Sequence, residues 1–369
     1  MKYYVIAGEA SGDLHGSNLI RELKKLDDNA DIRCWGGDLM QQAGAHLVKH
    51  YRDLAFMGFA EVVANLATIL RNLKFCKEDI LQFKPDALIL IDYPGFNLRI
   101  AKWAKQQGLR VIYYISPQVW AWKENRVKAM KKNIDKMIVI IPFEESYFKN
   151  KWNWLVEYVG HPLVAVIEDQ KSKIENQKLS DKPIVALLPG SRKQEIAKKL
   201  PIMLEASKFF PHHQFIVAEA PSVEDEFYKN FTKPYSNVSA VKNQTYNLLS
   251  QAKAAAVTSG TATLETALFG VPEVVCYKGS AISYQIAKRV IKVKYISLVN
   301  LIMDRLVVKE LIQDDLTEHN LKHELQELLK NDKRIGEIKK DYGELKRILS
   351  EGGNASANAA RSIIDFLSQ

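Results

Sequence analysis

Short apolar runs alternate with longer segments of mixed polarity along the first half of the chain. The runs predict strands at residues 3–8, 32–36, 87–92, 111–115, 137–141 and 156–160. Residues 14–26, between the first two runs, are predicted to form a helix. Runs that are apolar at nearly every position are typical of parallel strands covered by helices on both faces. The alternation therefore predicts a doubly wound parallel sheet.

A second series of apolar runs begins at residue 184. It predicts strands at residues 184–188, 214–218, 254–258 and 273–277, and a one-sided apolar helix at residues 357–367. We therefore expect an α/β protein with two Rossmann-like domains facing a central cleft. The predicted divisions are an N-terminal domain at 1–168, a linker at 169–183, a C-terminal domain at 184–345 and a final helical segment at 346–369. Ligands in such sheets bind beyond the carboxyl ends of the strands.

The composition narrows the class of partner. The chain has 369 residues, of which 47% are hydrophobic and 26% charged, with a formal net charge of +9. An excess of positive charge favours an anionic partner, which is a nucleic acid, an anionic membrane surface or a phosphorylated substrate. Cys34, Cys76 and Cys276 are far apart, which is typical of a reducing cytoplasm and not of a metal site. No apolar stretch is long enough to predict a membrane-spanning helix.

The first candidate anion site follows the strand at residues 184–188, in the sequence L-L-P-G-S-R-K-Q-E. Gly190 ends the strand, and Ser191 is expected to cap a helix that begins near Lys193. Free backbone N–H groups and the helix dipole at such a turn favour an anion. Arg192 adds a planar cation that fits phosphate oxygens. The alternative is an ordinary capped turn between a strand and a helix.

A second turn of the same kind follows the strand at residues 254–258, in the sequence T-S-G-T-A-T-L-E. Its hydroxyl groups and Gly260 precede a helix, and Glu265 can accept hydrogen bonds from ribose hydroxyl groups. Two such turns in one domain indicate a nucleotide diphosphate site more strongly than either turn alone. Helix capping without a ligand remains the alternative.

Carboxyl groups follow two strands of the first domain. Residues 8–13, G-E-A-S-G-D, lack the G-x-G-x-x-G spacing of a dinucleotide site but place Glu9 and Asp13 at the end of the first strand. Asp92 ends an otherwise apolar strand and is followed directly by Y-P-G-F. We expect a partly buried carboxylate there, with a pKa that its surroundings adjust. The alternative for Asp92 is a cap for the helix that contains Asn97.

Two further segments have more than one interpretation. Residues 102–136 contain nine Lys or Arg and two acidic residues, together with Trp103, Trp120 and Trp122. This composition is compatible with nucleic-acid binding, with a surface for phosphates or anionic lipid heads, and with a solvated helix beside core tryptophans. Residues 59–73 have apolar positions at helical spacing, which indicates either core packing or an interfacial helix that contacts lipid.

Seven motifs in order resemble the lipid-A-disaccharide synthase family of glycosyltransferases. They are A-G-E-A-S-G-D, I-D-Y-P-G-F, S-P-Q-V-W-A-W, G-H-P, L-P-G-S-R, S-G-T-A-T-L-E and S-L-V-N-L. The resemblance implies the GT-B fold, with UDP held by the C-terminal domain and a last helix that returns to the N-terminal domain. It also implies transfer of 2,3-diacylglucosamine from its UDP derivative to 2,3-diacylglucosamine 1-phosphate (lipid X), with inversion and without a metal or other cofactor.

The resemblance also implies roles for individual residues. Asp92 is the expected general base, and Glu9 is the second candidate. The expected donor residues are Gly190, Ser191, Arg192, Glu195, Ser259, Gly260, Thr261, Ala262, Glu265 and Asn300. The expected acceptor residues are Ser11, Gly12, Asp13, Ser116, Gln118 and Trp120. The expected membrane residues are Phe56, Met57, Phe59, Leu66, Ile69, Leu70 and Leu73. Many family members have a second aspartate where this chain has Gly95, so no role for that carboxylate transfers here.

The expected partners are the two lipid substrates and the anionic inner-leaflet surface, which places the chain on the cytoplasmic face of the inner membrane. No nucleic-acid partner is expected, and both a monomer and a homodimer are compatible with the sequence. The alternatives are a UDP-sugar 2-epimerase or another GT-B enzyme that uses a UDP-sugar. A basic RNA-binding protein is the non-enzymatic alternative, and the two phosphate turns in one domain argue against it.

Overall fold

The computed structural model describes residues 1–54, 66–174, 177–279 and 293–369. These residues form two compact units. Unit 1 contains Met1–Pro162 and Leu349–Gln369, and unit 2 contains Leu163–Ile348. Each unit is an α/β structure built on a parallel sheet, so the predicted fold class is confirmed.

The sheet of unit 1 has seven strands in the described residues. They are β1 (Lys2–Ala7), β2 (Asp31–Gly36), β3 (His46–His50), β4 (Ala87–Ile91), β5 (Val111–Tyr114), β6 (Lys136–Val139) and β7 (Glu157–Tyr158). Their spatial order is β3-β2-β1-β4-β5-β6-β7, and every pairing is parallel. The central strands β1 and β4 are buried except at Lys2, because helices cover both faces of the sheet.

The described residues of unit 2 form a parallel sheet of six strands. They are β8 (Ile184–Leu188), β9 (Gln214–Glu219), β10 (Val238–Lys242), β11 (Ala252–Thr258), β12 (Glu273–Tyr277) and β13 (Glu310–Ile312). Their spatial order is β10-β9-β8-β11-β12-β13. The pattern of apolar runs did not predict β3, β10 and β13, which lie at sheet edges.

Helices connect these strands. Those in the described ranges are α1 (Ala10–Leu26), α2 (Asp38–Gln42), α3 (Leu66–Phe83), α4 (Pro94–Gln106), α5 (Arg126–Asn133), α6 (Pro142–Trp152), α7 (Pro162–Lys173), α8 (Lys193–Ser207), α9 (Asp225–Thr232), α10 (Thr245–Gln251), α11 (Thr261–Leu268), α12 (Leu298–Met303), α13 (Glu318–Lys330), α14 (Asp332–Ser350) and α15 (Ala355–Leu367). Helix α1 begins four residues before the predicted helix, so residues 10–13 lie in its first turn. The predicted linker at 169–183 begins inside α7.

The strand order of each sheet reverses next to its first strand. In unit 1, Ala7 of β1 pairs with Ile91 of β4. In unit 2, Leu188 of β8 pairs with Val257 of β11. Each pair of strands therefore ends at the same level, and the turns that follow lie at a topological switch point, where open parallel sheets bind ligands.

Helix α3 contains the described part of the predicted membrane surface. The side chain of Leu73 is buried in the core of unit 1, so its assignment to the membrane surface is wrong. Ile69 packs partly against that core, whereas Leu70 is 57% exposed. Phe56, Met57 and Phe59, together with the side chain of Leu66, lie outside the described residues. Among the helices that the structure describes, none combines the length and apolarity that crossing a bilayer requires.

The last helix completes unit 1. Helix α15 packs against α1. The Arg110 guanidinium donates to the carbonyl oxygen of Leu367 at 2.7 Å, and Ser362 donates to the Glu157 carboxylate at 2.6 Å. The final residues of the chain therefore belong to the same compact unit as the first 162, in agreement with the fold that the resemblance implies.

Candidate active site

Asp92 lies in a strained turn at the switch point of unit 1. It follows the last residue of β4, and both Asp92 and Tyr93 have left-handed backbone conformations, with φ of 43° and 49°. Such conformations cost about 1–3 kcal/mol for each non-glycine residue and persist only where surrounding contacts impose them. The Asn97 amide donates to the carbonyl oxygens of Ile91 (3.1 Å) and Asp92 (2.8 Å), and the Tyr113 hydroxyl donates to Asp92 O at 2.5 Å.

The surroundings of Asp92 adjust its acidity. Burial and, to a smaller extent, the nearby Glu9 carboxylate together raise the pKa of its carboxyl group to about 6, against the opposing effect of the Tyr93 N–H. Glu9 lies at the N-cap of α1, directly after the strand that pairs with β4. The structure thus places the two sequence-predicted acids in the same region of unit 1. A carboxylate with a pKa near 6 is suited to accept a proton near neutral pH.

Tyr93 is a site residue that the sequence analysis did not single out. Its ring lies directly over Gly8, because a Cβ atom added to Gly8 would come within 2.3 Å of ring carbons. A Cβ on Gly12 would likewise approach the Ala7 side chain to 3.0 Å. The two glycines therefore permit close packing of the Tyr93 ring and of α1 against the ends of the strands. A Cβ at Gly95, in contrast, would have no neighbour within 4 Å among the described atoms.

Glu144 is a second residue that the sequence analysis missed. Its side chain is 1% exposed and accepts hydrogen bonds from Trp120 Nε1 at 3.0 Å and from the Ile141 N–H at 3.2 Å. The pKa of Glu144 is raised to about 8, chiefly by burial; the Asp92 carboxylate adds to this rise, and the hydrogen-bond donors oppose it. The sequence contained one signal for its position, because Pro142 and Glu144 match the residue pattern of the first turn of a helix. Glu144 fixes the half-buried Trp120.

The other predicted acceptor residues have different surroundings. Asp13 is 3% exposed, and its carboxylate accepts from the N–H groups of Gly37, Leu39 and Met40. It thus caps α2 from within unit 1, which is a structural role, and its assignment to the acceptor site stays a prediction. Ser116 is buried and donates to Pro117 O, whereas Ser11 and Gln118 are exposed.

In unit 2, the turn after β8 has a left-handed glycine before a helix, as the predicted anion site requires, but not the predicted cap. Gly190 is left-handed, with φ of 124°, and α8 begins at Lys193 as predicted. The N-cap position is Arg192, so the prediction that Ser191 caps the helix is wrong. The Arg192 guanidinium pairs with Glu195 at 3.0 Å, and a Cβ on Gly190 would lie 3.0 Å from the same carboxylate. Glu195 therefore orients Arg192.

Lys199 is a cation that the sequence analysis missed. It lies in α8, is 2% exposed, and its ammonium group would be 3.6 Å from a Cβ on Gly190. Burial lowers the pKa of Lys199, and the nearby Glu195 carboxylate opposes that effect. A buried lysine beside a strand-to-helix turn is a second positive charge for an anion bound there.

The turn after β11 lies beside the turn after β8, because these two strands pair. Gly260 has φ of 149° and precedes α11, whose first residue, Thr261, is exposed. Ser259 Oγ donates to Ile296 O at 2.7 Å. Burial raises the pKa of Glu265, whose carboxylate accepts from Tyr246 Oη at 3.2 Å. Ala262, in the first turn of α11, is half-buried.

The amide of Asn300 is fully hydrogen-bonded within unit 2. Its side chain is fully buried and donates to Val308 O (2.8 Å) and Glu310 Oε1 (2.9 Å), while its oxygen accepts from the Val307 and Val308 N–H groups. All four hydrogen-bonding positions of the amide are used. The amide therefore supports the structure of unit 2, and the placement of Asn300 in the donor region near the diphosphate stays a prediction. Glu310 also accepts from the Ile296 N–H, so this network supports the segment that Ser259 contacts.

Comparison with known proteins agrees with the motifs. A family model described as lipid-A-disaccharide synthetase matches residues 3–364. The lipid-A-disaccharide synthase of Geobacter metallireducens is 37% identical over 98% of this chain and 96% of its own length. That of Coxiella burnetii is 38% identical over 98% of each chain.

Solved structures with low identity share the fold. The UDP-GlcNAc 2-epimerase of Neisseria meningitidis bound to UDP-GlcNAc has a TM-score of 0.66 at 14% identity, covering 100% of both chains. The calicheamicin glycosyltransferase CalG4 has a TM-score of 0.64 at 15% identity, covering 100% of this chain and 98% of its own. The resemblance read from the seven motifs is confirmed: the chain belongs to the lipid-A-disaccharide synthetase family and is a glycosyltransferase with the GT-B fold.

Proposed function

We propose that the chain transfers 2,3-diacylglucosamine from UDP-2,3-diacylglucosamine to lipid X, with Asp92 as the general base. The products are the β-1,6-linked disaccharide 1-phosphate and UDP. The observation that carries the assignment of the base is the position of Asp92. It lies in a strained turn at the switch point of unit 1, with a pKa raised to about 6 by burial and by Glu9. Glu9 is the second candidate for the base.

The proposed step is a single displacement. The 6-hydroxyl group of the acceptor gives its proton to the Asp92 carboxylate as its oxygen attacks the anomeric carbon of the donor. The new O6–C1 bond forms on the face opposite the breaking bond to UDP, so the configuration inverts. A base whose pKa lies near the working pH accepts this proton most effectively, which accounts for a value raised toward neutrality.

Unit 2 supplies the groups that favour departure of UDP. In the proposal, the backbone N–H groups of the Gly190–Ser191 turn and the Ser259–Thr261 turn face the diphosphate. Arg192 and the buried Lys199 supply positive charge where negative charge grows on the leaving group. Glu265, held by Tyr246, accepts hydrogen bonds from the ribose or uracil. The solved Neisseria structure is bound to UDP-GlcNAc, and the similarity of fold supports a UDP-sugar donor here.

Both substrates carry acyl chains and are therefore expected in a membrane, which an exposed apolar surface of the enzyme can contact. Leu70 and Leu81 of α3 are 57% and 48% exposed. We propose that this face rests on the anionic inner leaflet, attracted by the net charge of +9 at about 1 kcal/mol per well-placed cation.

Leu70→Glu with Leu81→Glu should lower binding to phosphatidylglycerol vesicles. Leu155→Glu, at a leucine that is 79% exposed in the segment before β7, is the control. Equal binding by all variants would contradict the membrane proposal.

The reaction is tested with radiolabelled UDP-2,3-diacylglucosamine and lipid X in neutral detergent micelles. We expect a disaccharide 1-phosphate whose new linkage is β, together with equimolar UDP. The alternative enzyme, a UDP-sugar 2-epimerase, would convert UDP-GlcNAc without lipid X. Epimer formation, or the absence of disaccharide from folded protein, would overturn the proposed function.

A further inference from the structure

Trp122 is the last residue of the S-P-Q-V-W-A-W motif, and two cations lie over its ring. The Trp122 side chain is 45% exposed. Lys123 Nζ lies 4.3 Å from the ring centroid, and the Arg126 guanidinium carbon lies 5.7 Å from it. We refer to Trp122, Lys123 and Arg126 as the Trp122 cluster. The reaction steps proposed for Asp92 and for unit 2 do not involve this exposed ring or its two adjacent cations.

The cations of the Trp122 cluster are available for an external anion. The acidic residue between them in sequence, Glu124, is engaged by Lys151 and by the Tyr147 hydroxyl, the latter at 2.8 Å. The salt bridges found among the described residues include neither Lys123 nor Arg126. Arg126 is half-buried, so a contact between its guanidinium and an anion would be screened less by solvent than at a fully exposed side chain.

Arg126 is the first residue of α5, and α5 packs against α4, the helix that begins at Pro94 directly after the turn of Asp92. The Tyr113 hydroxyl donates to the backbone carbonyl of Asp92 at 2.5 Å. Burial raises the pKa of that phenol well above its usual value, the Asp92 carboxylate raises it further, and the Arg126 guanidinium lowers it. Asp92 and Arg126 therefore both act on one phenol. A positive charge is present within electrostatic reach of the turn that holds the proposed base.

The acceptor requires a cation in this region. In a glucosamine 1-phosphate, C1 and C5 are joined through the ring oxygen, and C6 is attached to C5. The phosphate on C1 and the hydroxyl group on C6 therefore flank the same ring oxygen. When the 6-hydroxyl oxygen contacts the Asp92 carboxylate, the distance from that carboxylate to the phosphate is therefore about the width of one sugar ring. A phosphate monoester carries a charge of about −1.5 to −2 at neutral pH, and a guanidinium binds its oxygens in a bidentate manner.

We propose that Trp122, Lys123 and Arg126 form the subsite for the 1-phosphate of the acceptor. The Arg126 guanidinium binds two phosphate oxygens, the Lys123 ammonium neutralises the remaining charge, and the Trp122 ring, which both cations contact, holds them in place. The inference deepens the proposed function and rests on it. Recognition of this phosphate selects the acceptor and fixes its 6-hydroxyl group at Asp92.

The test compares two acceptors that differ only in the phosphate. Wild type, Arg126→Ala and Arg126→Lys are assayed with lipid X and with 2,3-diacylglucosamine, in neutral detergent micelles without anionic lipid. We expect Arg126→Ala to lower kcat/KM about 10- to 100-fold with lipid X, the loss of one or two charge-assisted hydrogen bonds, and less than about 3-fold with the dephosphorylated acceptor. Arg126→Lys should restore part of the loss. Lys128→Ala, at an exposed lysine of α5, should leave both values unchanged.

Three results would overturn the proposal. Equal losses with both acceptors would show that Arg126 supports the fold or the donor. An equal, phosphate-specific loss in Lys128→Ala would show a general field effect. A phosphate-specific loss in Arg99→Ala without one in Arg126→Ala would move the subsite to the exposed arginine of α4.

A binding measurement separates failure of the subsite from failure of the proposed function. Glucosamine 1-phosphate and glucosamine are titrated against wild type and Arg126→Ala. Calorimetry follows the binding of both compounds, and the ³¹P signal also follows the binding of glucosamine 1-phosphate. Binding of the phosphate compound that Arg126→Ala removes supports the subsite, whether or not disaccharide is formed. Identical titrations for the two proteins would overturn the subsite, even if wild type makes disaccharide.

Discussion

The indole N–H of Trp120 donates a hydrogen bond to the buried carboxyl group of Glu144 at 3.0 Å. The same carboxyl group accepts from the Ile141 N–H at the start of α6. One side chain thus joins the S-P-Q-V-W-A-W loop to the helix that follows β6. This hydrogen-bonded pair stabilises a segment near Asp92. Because the Glu144 carboxyl group titrates, that stabilisation depends on pH.

Glu144→Gln should change how stability varies with pH. The pKa of Glu144 is raised from 4.5 to about 8 in the folded chain, so its contribution to stability is complete below pH 4.5, declines as pH rises and is lost above about 8. The melting temperature of Glu144→Gln, relative to wild type, should therefore rise between pH 5 and pH 8.5. Glu145→Gln, at the exposed neighbouring residue, should show no such trend. A parallel shift of both variants at all pH values would contradict a buried, titrating carboxyl group.

Gly8→Ala should destabilise unit 1 by about 1–3 kcal/mol, because the added methyl group would overlap the Tyr93 ring. The double variant Gly8→Ala with Tyr93→Ala should lose less stability than the sum of the single variants, by about 0.5–3 kcal/mol. Denaturant unfolding measures all four proteins. Gly95→Ala, where a Cβ meets open space, serves as the control. Strict additivity of the two changes would show that the ring and the glycine are not in contact.

Asp13→Ala should lower the free energy of unfolding by on the order of 3 kcal/mol, since three backbone N–H groups at the start of α2 lose their acceptor. The exposed Asp28 provides the control variant, Asp28→Ala, with an expected change below about 0.5 kcal/mol. If Asp13→Ala kept full stability and instead raised KM for lipid X, Asp13 would be an acceptor residue and the capping role would be wrong.

Asn300→Ala should also affect stability more than substrate binding. The amide fills four hydrogen bonds with Val307, Val308 and Glu310, and its loss should cost on the order of 3 kcal/mol. At a temperature where the variant is folded, KM for UDP-2,3-diacylglucosamine should remain within about threefold of wild type. Asn230→Ala, at an exposed asparagine, controls for the substitution itself. A large rise in KM at unchanged stability would return Asn300 to the donor site.

The sequence predicted the central strands because they are apolar on both faces. The edge strands β3 and β10 escaped prediction, since β3 (H-L-V-K-H) and β10 (V-S-A-V-K) each have partly solvated faces and mixed polarity. Strand β13 has three residues, too few for a recognisable pattern.

Residues of the candidate site could be predicted when their motif directly follows a strand. They could not be predicted when their contacts join residues that are distant in sequence. Asp92 and the turns at Gly190 and Gly260 were found because their position relative to a strand fixes their place in the sheet. The hydrogen bonds of Asp13 and Asn300 were not predicted, because their partners lie 24 to 27 and 7 to 10 residues away in sequence. Hydrogen bonds across such separations have no signature in a single chain.

The central claim, that Asp92 is the base, is tested most directly by the pH dependence of kcat/KM for wild type, Asp92→Asn and Glu9→Gln. We expect the wild-type value to fall below about pH 6, as the Asp92 carboxylate becomes protonated. Asp92→Asn should lose about 10²- to 10⁴-fold, the usual contribution of a general base. Glu9→Gln should keep most activity and move the acidic limb to lower pH, because it removes a negative charge that raises the pKa of Asp92. Full activity in Asp92→Asn with the acidic limb unchanged would contradict the account.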